Sequence, residues 1–376
     1  MLVYLSIFVL NASCCFIRKH QQALVHIVVA ALLIFISGTR YYMGGSDVFV
    51  YERGFNQVPE PWFVLKYILT GINEGVNINY EPGFLLICSI IKYLGFSYFG
   101  FTLIYAGLFY FILYKSLKHL IPDWSIFIAL FMYKIMFYNT FISIRQGLTV
   151  AFFCYMIRFI QNRKWKIYFP LCFVAFYFHR AALFLIPLYF IPYIPTSRKA
   201  ILLFALSFLP TWFISGAVNL GGIIESITSI IGFEQRNRGW SEITETISII
   251  HTLECYLIIA CIYLCHDRIF SHPDNKNARL FVQLVLVTIP IFTLFREWIV
   301  MTRLKDYLVI FYGAAFAFIT SYNPNRDRTE LARPFVTVAI LGASCIGMVR
   351  YVLSFDGGHL LHFRSFIFEG VSIFNW

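Results

Sequence analysis

The sequence predicts an all-helical, polytopic integral membrane protein, and its composition is the main reason. Hydrophobic residues make up 59% of the 376 residues, charged residues only 13%, and the mean hydropathy is +0.72. A water-soluble domain of this composition would expose large apolar patches, so the soluble classes are excluded. We expect roughly 11–14 membrane-spanning helices, because apolar segments of nearly spanning length recur along the chain. They form a single transmembrane domain over residues 1–376.

Apolar segments follow one another from the first residues onward. The first has no basic residues before it and no small-residue cleavage pattern, so we expect it to remain as a helix rather than to be removed as a signal peptide. The stretch 165–195 is divided only by His179 and Arg180, which predicts a helical hairpin with a tight turn. The segments lie near 2–17, 22–38, 83–114, 121–140, 141–160, 165–179, 180–195, 199–216, 247–265, 280–297, 303–321 and 334–353.

Basic residues occur in alternate connections, which predicts the orientation of the chain. The positive-inside rule places these connections in the cytoplasm. The opposite face then holds the loops 39–82 and 217–246 and the tail 354–376. The basic connections contain Arg18 and Lys19; Lys115 and Lys118; Arg163, Lys164 and Lys166; Arg198 and Lys199; Arg268, Lys276 and Arg279; and Arg326, Arg328 and Arg333.

Segment 83–114 disturbs this alternation. Cytoplasmic Arg18 and Lys115 require an odd number of crossings after the loop 39–82, yet the segment reads as two short helices broken near Gly95. Either one half is interfacial or re-entrant, or the first two helices have the opposite orientation. The break at Gly95 favours the first alternative.

Net charge and cysteine content add little to the functional assignment. The net charge of +11 is spread over short loops, which indicates membrane orientation rather than a nucleic-acid patch. All nine cysteines fall within apolar segments, so we interpret them as small packing residues and not as a disulfide framework.

The loop 39–82 holds the first cluster of polar residues. Arg40 precedes Asp47 in the stretch RYYMGGSD, and Glu81 lies in YEPGF. Two glycines allow a sharp turn that brings Arg40 and Asp47 towards each other, while Pro82 places Glu81 at the positive end of the next helix. A juxtamembrane salt bridge with a helix cap is the alternative to a functional site.

Charged residues also occur inside apolar segments. Arg145 lies in FISIRQGLTV, and His179 with Arg180 lies in FYFHRAALF. A charge at such depth costs roughly 2.5–3.5 kcal/mol, so it normally faces a protein interior or a water-filled cavity. These residues mark a site on the face opposite to the basic loops, unless they pair only to lock helices together.

The order of these motifs is similar to that of a known family. R-x6-D-x3-Y, Y-E-P-G-F, I-R-Q-G-L-T, F-H-R-A-A-L and R-L-K-D-Y occur in sequence over residues 38–310. The chain thereby resembles the EpsG-like family of bacterial polysaccharide polymerases, which are related in role to Wzy O-antigen polymerases. Ser46 stands where family members often have Thr, and Thr149 where they often have Ala. Neither difference removes a charge.

The resemblance implies a reaction and a fold. Two undecaprenyl-diphosphate-linked oligosaccharides would be joined at the periplasmic face of the bacterial inner membrane, with release of undecaprenyl diphosphate. The implied architecture is that of a GT-C-like membrane glycosyltransferase, and the implied partners are these substrates, membrane lipids and a chain-length regulator.

Arginine suits the binding of such a diphosphate, because its guanidinium meets phosphate oxygens in a bidentate manner. Tyr307, one turn after Arg303, is expected to orient that side chain. The candidate diphosphate or sugar ligands are Arg40, Arg145, Arg180, Arg296, Arg303 and Tyr307.

The acceptor hydroxyl needs a base, and Asp47, Glu81 and His179 are the catalytic candidates. Histidine titrates near neutral pH, but His179 lies beside a cationic arginine. We favour Asp47, because a carboxylate near Arg40 stays ionised and its glycine-flanked loop can reach a bound sugar.

The loop 217–246 combines an apolar stretch with a tip that carries Arg236, Arg238 and Trp240. It is either a lid over the site or an ordinary interfacial connector. No metal-ligand spacing, glycine-rich phosphate loop or nucleotide fingerprint occurs, so we predict no metal and no cofactor.

Two other functions remain open. A flippase or another transporter of lipid-linked oligosaccharides would also be polytopic with buried arginines, although no inverted repeat indicates alternating access. A ligase or a related membrane glycosyltransferase differs mainly in its acceptor, which the sequence does not identify.

Overall fold

The computed structural model describes residues 1–17, 19–72, 80–214, 248–270, 277–296, 302–321 and 333–375. These residues form helices joined by short connections, with two isolated β-bridges and no β-strand among them. The all-helical fold class is therefore confirmed for this part of the chain. The described residues divide into two compact units, Met1–Tyr189 with Thr320–Trp376 and Phe190–Ile319.

The first unit contains eleven of the described helices. They are α1 (Leu2–Ser13), α2 (Lys19–Gly38), α3 (Asp47–Gln57), α4 (Pro61–Thr70), α5 (Pro82–Tyr93), α6 (Tyr98–Leu117), α7 (Trp124–Phe131), α8 (Ile144–Gln161), α9 (Trp165–Phe178), α10 (Leu185–Leu188) and, after the helices of the second unit, α18 (Arg333–Ser354).

The second unit contains the remaining described helices. They are α11 (Arg198–Phe208), α12 (Thr211–Ile214), α13 (Ile249–Leu264), α14 (His266–Phe270), α15 (Ala278–Leu286), α16 (Thr288–Leu294) and α17 (Thr302–Thr320).

Three stretches of the described chain are long and apolar enough to cross a membrane, namely His20–Gly38, Tyr98–Leu117 and Arg333–Gly358. The other apolar helices are shorter, between 10 and 17 residues. This pattern agrees with an integral membrane protein.

A segment near the C-terminus joins the ends of α2 and α6. Tyr41 N donates to Arg364 O and Phe366 N donates to Thr39 O, each at 2.9 Å, just after α2. Just before α6, Ser97 N donates to Ile373 O, also at 2.9 Å. The end of α2 and the start of α6 therefore share one partner segment, residues 364–375, and these two packed helices run antiparallel.

Helix α5 lies between them in sequence but is too short to cross. Its 12 residues span about 18 Å, whereas the hydrocarbon core is about 30 Å thick. It forms a hairpin with α4, and Lys92 Nζ near its end donates to the carbonyl oxygen of Val58 at 3.0 Å. This arrangement supports the interfacial or re-entrant alternative for the first half of segment 83–114.

The hairpin predicted around His179 is confirmed. Helix α9 ends at Phe178, His179 adopts an extended backbone (φ −158°, ψ 122°), and a 3₁₀ turn over Arg180–Phe184 follows. The chain then returns along α9, because Tyr168 Oη donates to Leu185 O at 2.6 Å.

Two π-helical turns precede α8, at Met132–Met136 and Tyr138–Ile142. Such turns are rare and frequently lie at functional sites. Ser143 leaves the helical conformation (φ −97°, ψ 63°), and α8 starts at the next residue. Arg145 consequently occupies the first turn of α8.

Candidate functional site

Arg145 is the centre of the candidate site. Its Nη1 donates to Glu81 Oε2 at 2.5 Å, and its Nε donates to Tyr51 Oη at 3.4 Å. The Arg145 side chain is 24% exposed, whereas that of Glu81 is only 5% exposed. Nη2 has no hydrogen-bond partner among the described residues. The guanidinium is thus anchored on one carboxylate and retains a nitrogen that can bind an anion.

Glu81 is the residue immediately before α5, with Pro82 at the first helical position. Its backbone is extended (φ −66°, ψ 140°) and its side chain forms no capping hydrogen bond. The carboxylate reaches Arg145 instead, at the positive end of the helix dipole. Burial acts to raise the pKa of Glu81, but His179 and the charge of Arg145 outweigh it and hold the pKa at about 2. Glu81 is therefore an ionised partner near neutral pH.

His179 completes the cluster. Its Nδ1 lies 3.5 Å from Glu81 Oε1, a charge contact longer than a good hydrogen bond, and its side chain is 9% exposed. Gly83 makes this approach possible, because a Cβ there would lie 2.9 Å from the carbonyl oxygen of Tyr177. The missing side chain lets α5 pack against the end of α9, and so brings Glu81 beside His179.

Arg40 and Asp47 lie apart from this cluster of contacts. Arg40 is 3% exposed; its Nη1 donates to Ser37 O, and its guanidinium carbon is 5.4 Å from the ring centroid of Phe141. Asp47 is exposed at the first position of α3. The two glycines predict a close approach of Arg40 and Asp47, but no ion pair joins these side chains among the described residues. Gly44 and Gly45 instead lead the chain into α3, which begins at Asp47.

The other predicted ligands have different environments. Arg180 begins the 3₁₀ turn and is exposed. Arg296, Arg303 and Tyr307 belong to the second unit. There, the guanidinium of Arg296 lies 4.5 Å from the ring centroid of Trp212, Arg303 is exposed, and Tyr307 is fully buried in α17. Their roles in substrate binding, and the orientation of Arg303 by Tyr307, stay predictions.

One predicted feature lies outside the described residues. This is the loop 217–246, including Arg236, Arg238 and Trp240. In the described ranges, no group of three His, Cys, Asp or Glu side chains is placed to hold a metal ion.

Sequence reasoning missed Tyr51 and Tyr80. Both tyrosines belong to the motifs that mark the site, D-x3-Y and Y-E-P-G-F, but the sequence predicts no role for either. In the structure, the guanidinium carbon of Arg145 lies 4.8 Å from the ring centroid of Tyr80 and 5.7 Å from that of Tyr51. The tyrosine at each fixed motif position was the signal that could have identified them.

Comparison with known proteins agrees with the motif order. A family model described as the EpsG family matches residues 23–365, a range that contains Tyr51, Tyr80, Glu81, Arg145 and His179. No curated protein and no solved structure matches the chain. The match covers nearly the whole chain, and the resemblance seen in the sequence motifs is confirmed. The chain therefore belongs to the EpsG family, which is of the polysaccharide polymerase type.

Proposed function

We propose that this protein joins undecaprenyl-diphosphate-linked oligosaccharide repeat units into O-antigen or a related surface polysaccharide. The observation that carries the proposal is the partly exposed guanidinium of Arg145, held beside Glu81 and His179 in a member of the EpsG family. The proposal includes a GT-C-like architecture, the bacterial inner membrane as location, a site that faces the periplasm, and a chain-length regulator as partner.

The proposed reaction is a glycosyl transfer. A hydroxyl oxygen of the acceptor attacks the anomeric carbon of the donor and forms the new glycosidic bond. The bond between that carbon and the diphosphate oxygen breaks, and its electron pair leaves with undecaprenyl diphosphate. The hydroxyl proton passes to a base of the protein. The activated donor bond supplies the free energy of the transfer.

Arg145 suits the leaving group in this reaction. Negative charge develops on the diphosphate as the bond breaks, and a guanidinium that is already fixed in place stabilises that charge without reorganising. Glu81 and Tyr51 fix Nη1 and Nε, so Nη2 is the atom that would contact the diphosphate. Further ligands of the diphosphate or the sugars remain proposals, namely Arg180, Arg296 and Arg303. Arg40, in the loop 39–82, is proposed as another.

The geometry supports His179 as the base better than the other two candidates. Glu81, with a pKa of about 2 and an ion pair to Arg145, holds a proton poorly. Its carboxylate lies 3.5 Å from Nδ1 of His179 and would stabilise the imidazolium that forms when His179 accepts the hydroxyl proton. Asp47 is exposed on α3 and stays the second candidate.

A deletion strain tests the proposed function. The polysaccharide would be analysed by gel electrophoresis, with the strain complemented by the wild-type gene as control. We expect the deletion to leave carriers capped with a single repeat unit, and complementation to restore the long-chain ladder. Complete loss of surface polysaccharide would instead indicate a flippase, and long polymer that is not transferred to its final carrier would indicate a ligase.

Purified protein supplied with lipid-linked repeat units gives the direct test. We expect products that lengthen by whole repeat units, with one undecaprenyl diphosphate released for each bond formed. Intact substrate after incubation with correctly folded protein would contradict the proposal.

A further inference from the structure

Arg145 is held by aromatic rings as well as by Glu81. The Tyr80 ring centroid lies 4.8 Å from the guanidinium carbon, within the range of a cation–π contact. The ring of Tyr51 is stacked near that of Tyr80, with centroids 5.9 Å apart and planes inclined by 27°. The guanidinium therefore has an aromatic face beside it in addition to its hydrogen bonds.

Tyr80 is itself fixed by α3. Its Oη donates to Val50 O at 2.8 Å, so the tip of the ring is anchored on the backbone of that helix. Gly54 provides the space, because a Cβ at that position would collide with the ring and would lie 2.9 Å from Oη. Gly54 is buried in the middle of α3, where glycine weakens a helix, and the close approach of Tyr80 gives a packing reason for its presence.

We infer that Tyr80 is a positioning residue for Arg145, and that Gly54 is the position that admits it. A guanidinium beside a fixed ring keeps its plane, so Nη2 points in one direction while Nε and Nη1 hold Tyr51 and Glu81. This plane determines where the two N–H groups of Nη2 point, and therefore whether they can donate to the oxygens of a diphosphate. The inference rests on the proposed function, since it names the group that prepares Arg145 for its ligand.

Binding of inorganic pyrophosphate to the purified full-length protein, measured by calorimetry, tests the inference independently of turnover. We expect Tyr80→Leu to weaken binding roughly five- to thirtyfold, the range expected for losing a cation–π contact. Tyr80→Phe keeps the ring and should bind within about threefold of the wild type. Tyr80→Met, a long apolar side chain without a π face, should behave as Tyr80→Leu and is a second route if the leucine variant does not accumulate.

Gly54→Ala displaces the ring without changing any atom of Tyr80, so it should weaken pyrophosphate binding as well. Gly107→Ala is the matched control, because Gly107 is also a helical glycine and a Cβ there meets nothing within 4 Å. The control should bind as the wild type does.

A double-mutant cycle separates positioning from general structural support. If Tyr80 acts through Arg145, then Tyr80→Leu adds little to the loss already caused by Arg145→Lys. Additive losses, or equal binding by the wild type and Tyr80→Leu, would overturn the inference while leaving the proposed function intact. Absence of pyrophosphate binding by the wild type would overturn the diphosphate role of Arg145, and with it both proposals.

Discussion

Arg145 combines a short ion pair with partial exposure, and this combination separates it from the other arginine on the same helix. Arg158 in the last turn of α8 also lies over an aromatic ring, that of Tyr155 at 3.5 Å, but it is exposed. A surface cation of this kind contributes little to stability. Arg158 is therefore a suitable control for substitutions of Arg145.

We expect Arg145→Ala to abolish polymer formation, and Arg145→Lys to lower turnover at least about tenfold, because a point charge cannot reproduce the fork of a guanidinium. Arg158→Lys should retain full activity. The measurement is chain growth by purified variants, with protein abundance followed by immunoblotting. Full-length polymer from Arg145→Lys would show that any positive charge at this position is sufficient. Loss of protein abundance in Arg145→Ala would favour a purely structural role.

The pH dependence of turnover distinguishes the three base candidates. Because the pKa of Glu81 is lowered to about 2, its carboxylate is ionised throughout the range between pH 5 and 8 and contributes no inflection there. If His179 is the base, turnover falls as the pH drops and the imidazole becomes protonated. Removing the negative charge of Glu81 disfavours that protonation, so Glu81→Gln should move the inflection to lower pH.

We expect His179→Gln to lower turnover roughly 10²- to 10⁴-fold and to remove the inflection. Near-normal turnover in this variant, together with a comparable loss in Asp47→Asn, would transfer the role to Asp47. Pyrophosphate binding is the control measurement for both variants. It should be nearly unchanged in each, because a base acts on the acceptor hydroxyl and not on the diphosphate.

The sequence identifies Glu81, Arg145 and His179 one by one, since charge beside or within apolar segments is costly and therefore informative. It does not show that they meet, because Glu81 and Arg145 are 64 residues apart, and the contact of Glu81 with His179 depends on how closely α5 approaches α9 at Gly83. Tyr80 gives still less signal, because aromatic residues make up 19% of the chain. The expectation of an Arg40–Asp47 approach assumed a turn at the two glycines, where the chain starts a helix.

At the level of elements, the start of α8 depends on close packing. Gly147 lies two residues after Arg145, and a Cβ there would collide with the Asn139 carbonyl oxygen and with Tyr105 Oη. Tyr105 Oη already donates to Asn139 O at 2.5 Å, so this carbonyl joins α6 to the π-helical turn before α8. The pattern of apolar residues does not predict such a turn, because π-helical and α-helical stretches of buried residues look alike in sequence.

We expect Gly147→Ala to destabilise the protein by about 1–3 kcal/mol through overpacking and to lower turnover by moving Arg145. Gly342→Ala in α18 is the control, because a Cβ there meets nothing within 4 Å and alanine favours a helix. Thermal unfolding in detergent measures both variants. Equal unfolding temperatures would contradict the tight packing at Gly147.

For the molecule as a whole, the basic connections predict the orientation in the membrane. Residues 160–166 and 322–333 should be cytoplasmic and residues 217–246 periplasmic. Single cysteines introduced into a cysteine-free background and exposed to an impermeant reagent test this, and nine free thiols must first be replaced. We expect labelling of intact spheroplasts only at 217–246. Labelling at 322–333 from outside would reverse the orientation.

The segment that joins α2 and α6 has a consequence for biosynthesis. Ser97 Oγ bonds to Ser372 O across 275 positions, and Arg364 N bonds to Met43 Sδ across 321. Ribosomes add about 5–20 residues per second, so 275 residues take roughly 15–55 s. For most of that interval the nascent chain has both helices but not the segment that joins them. The backbone hydrogen bonds of Thr39 and Tyr41, on either side of Arg40, can therefore form only after residues 364 and 366 have been synthesised.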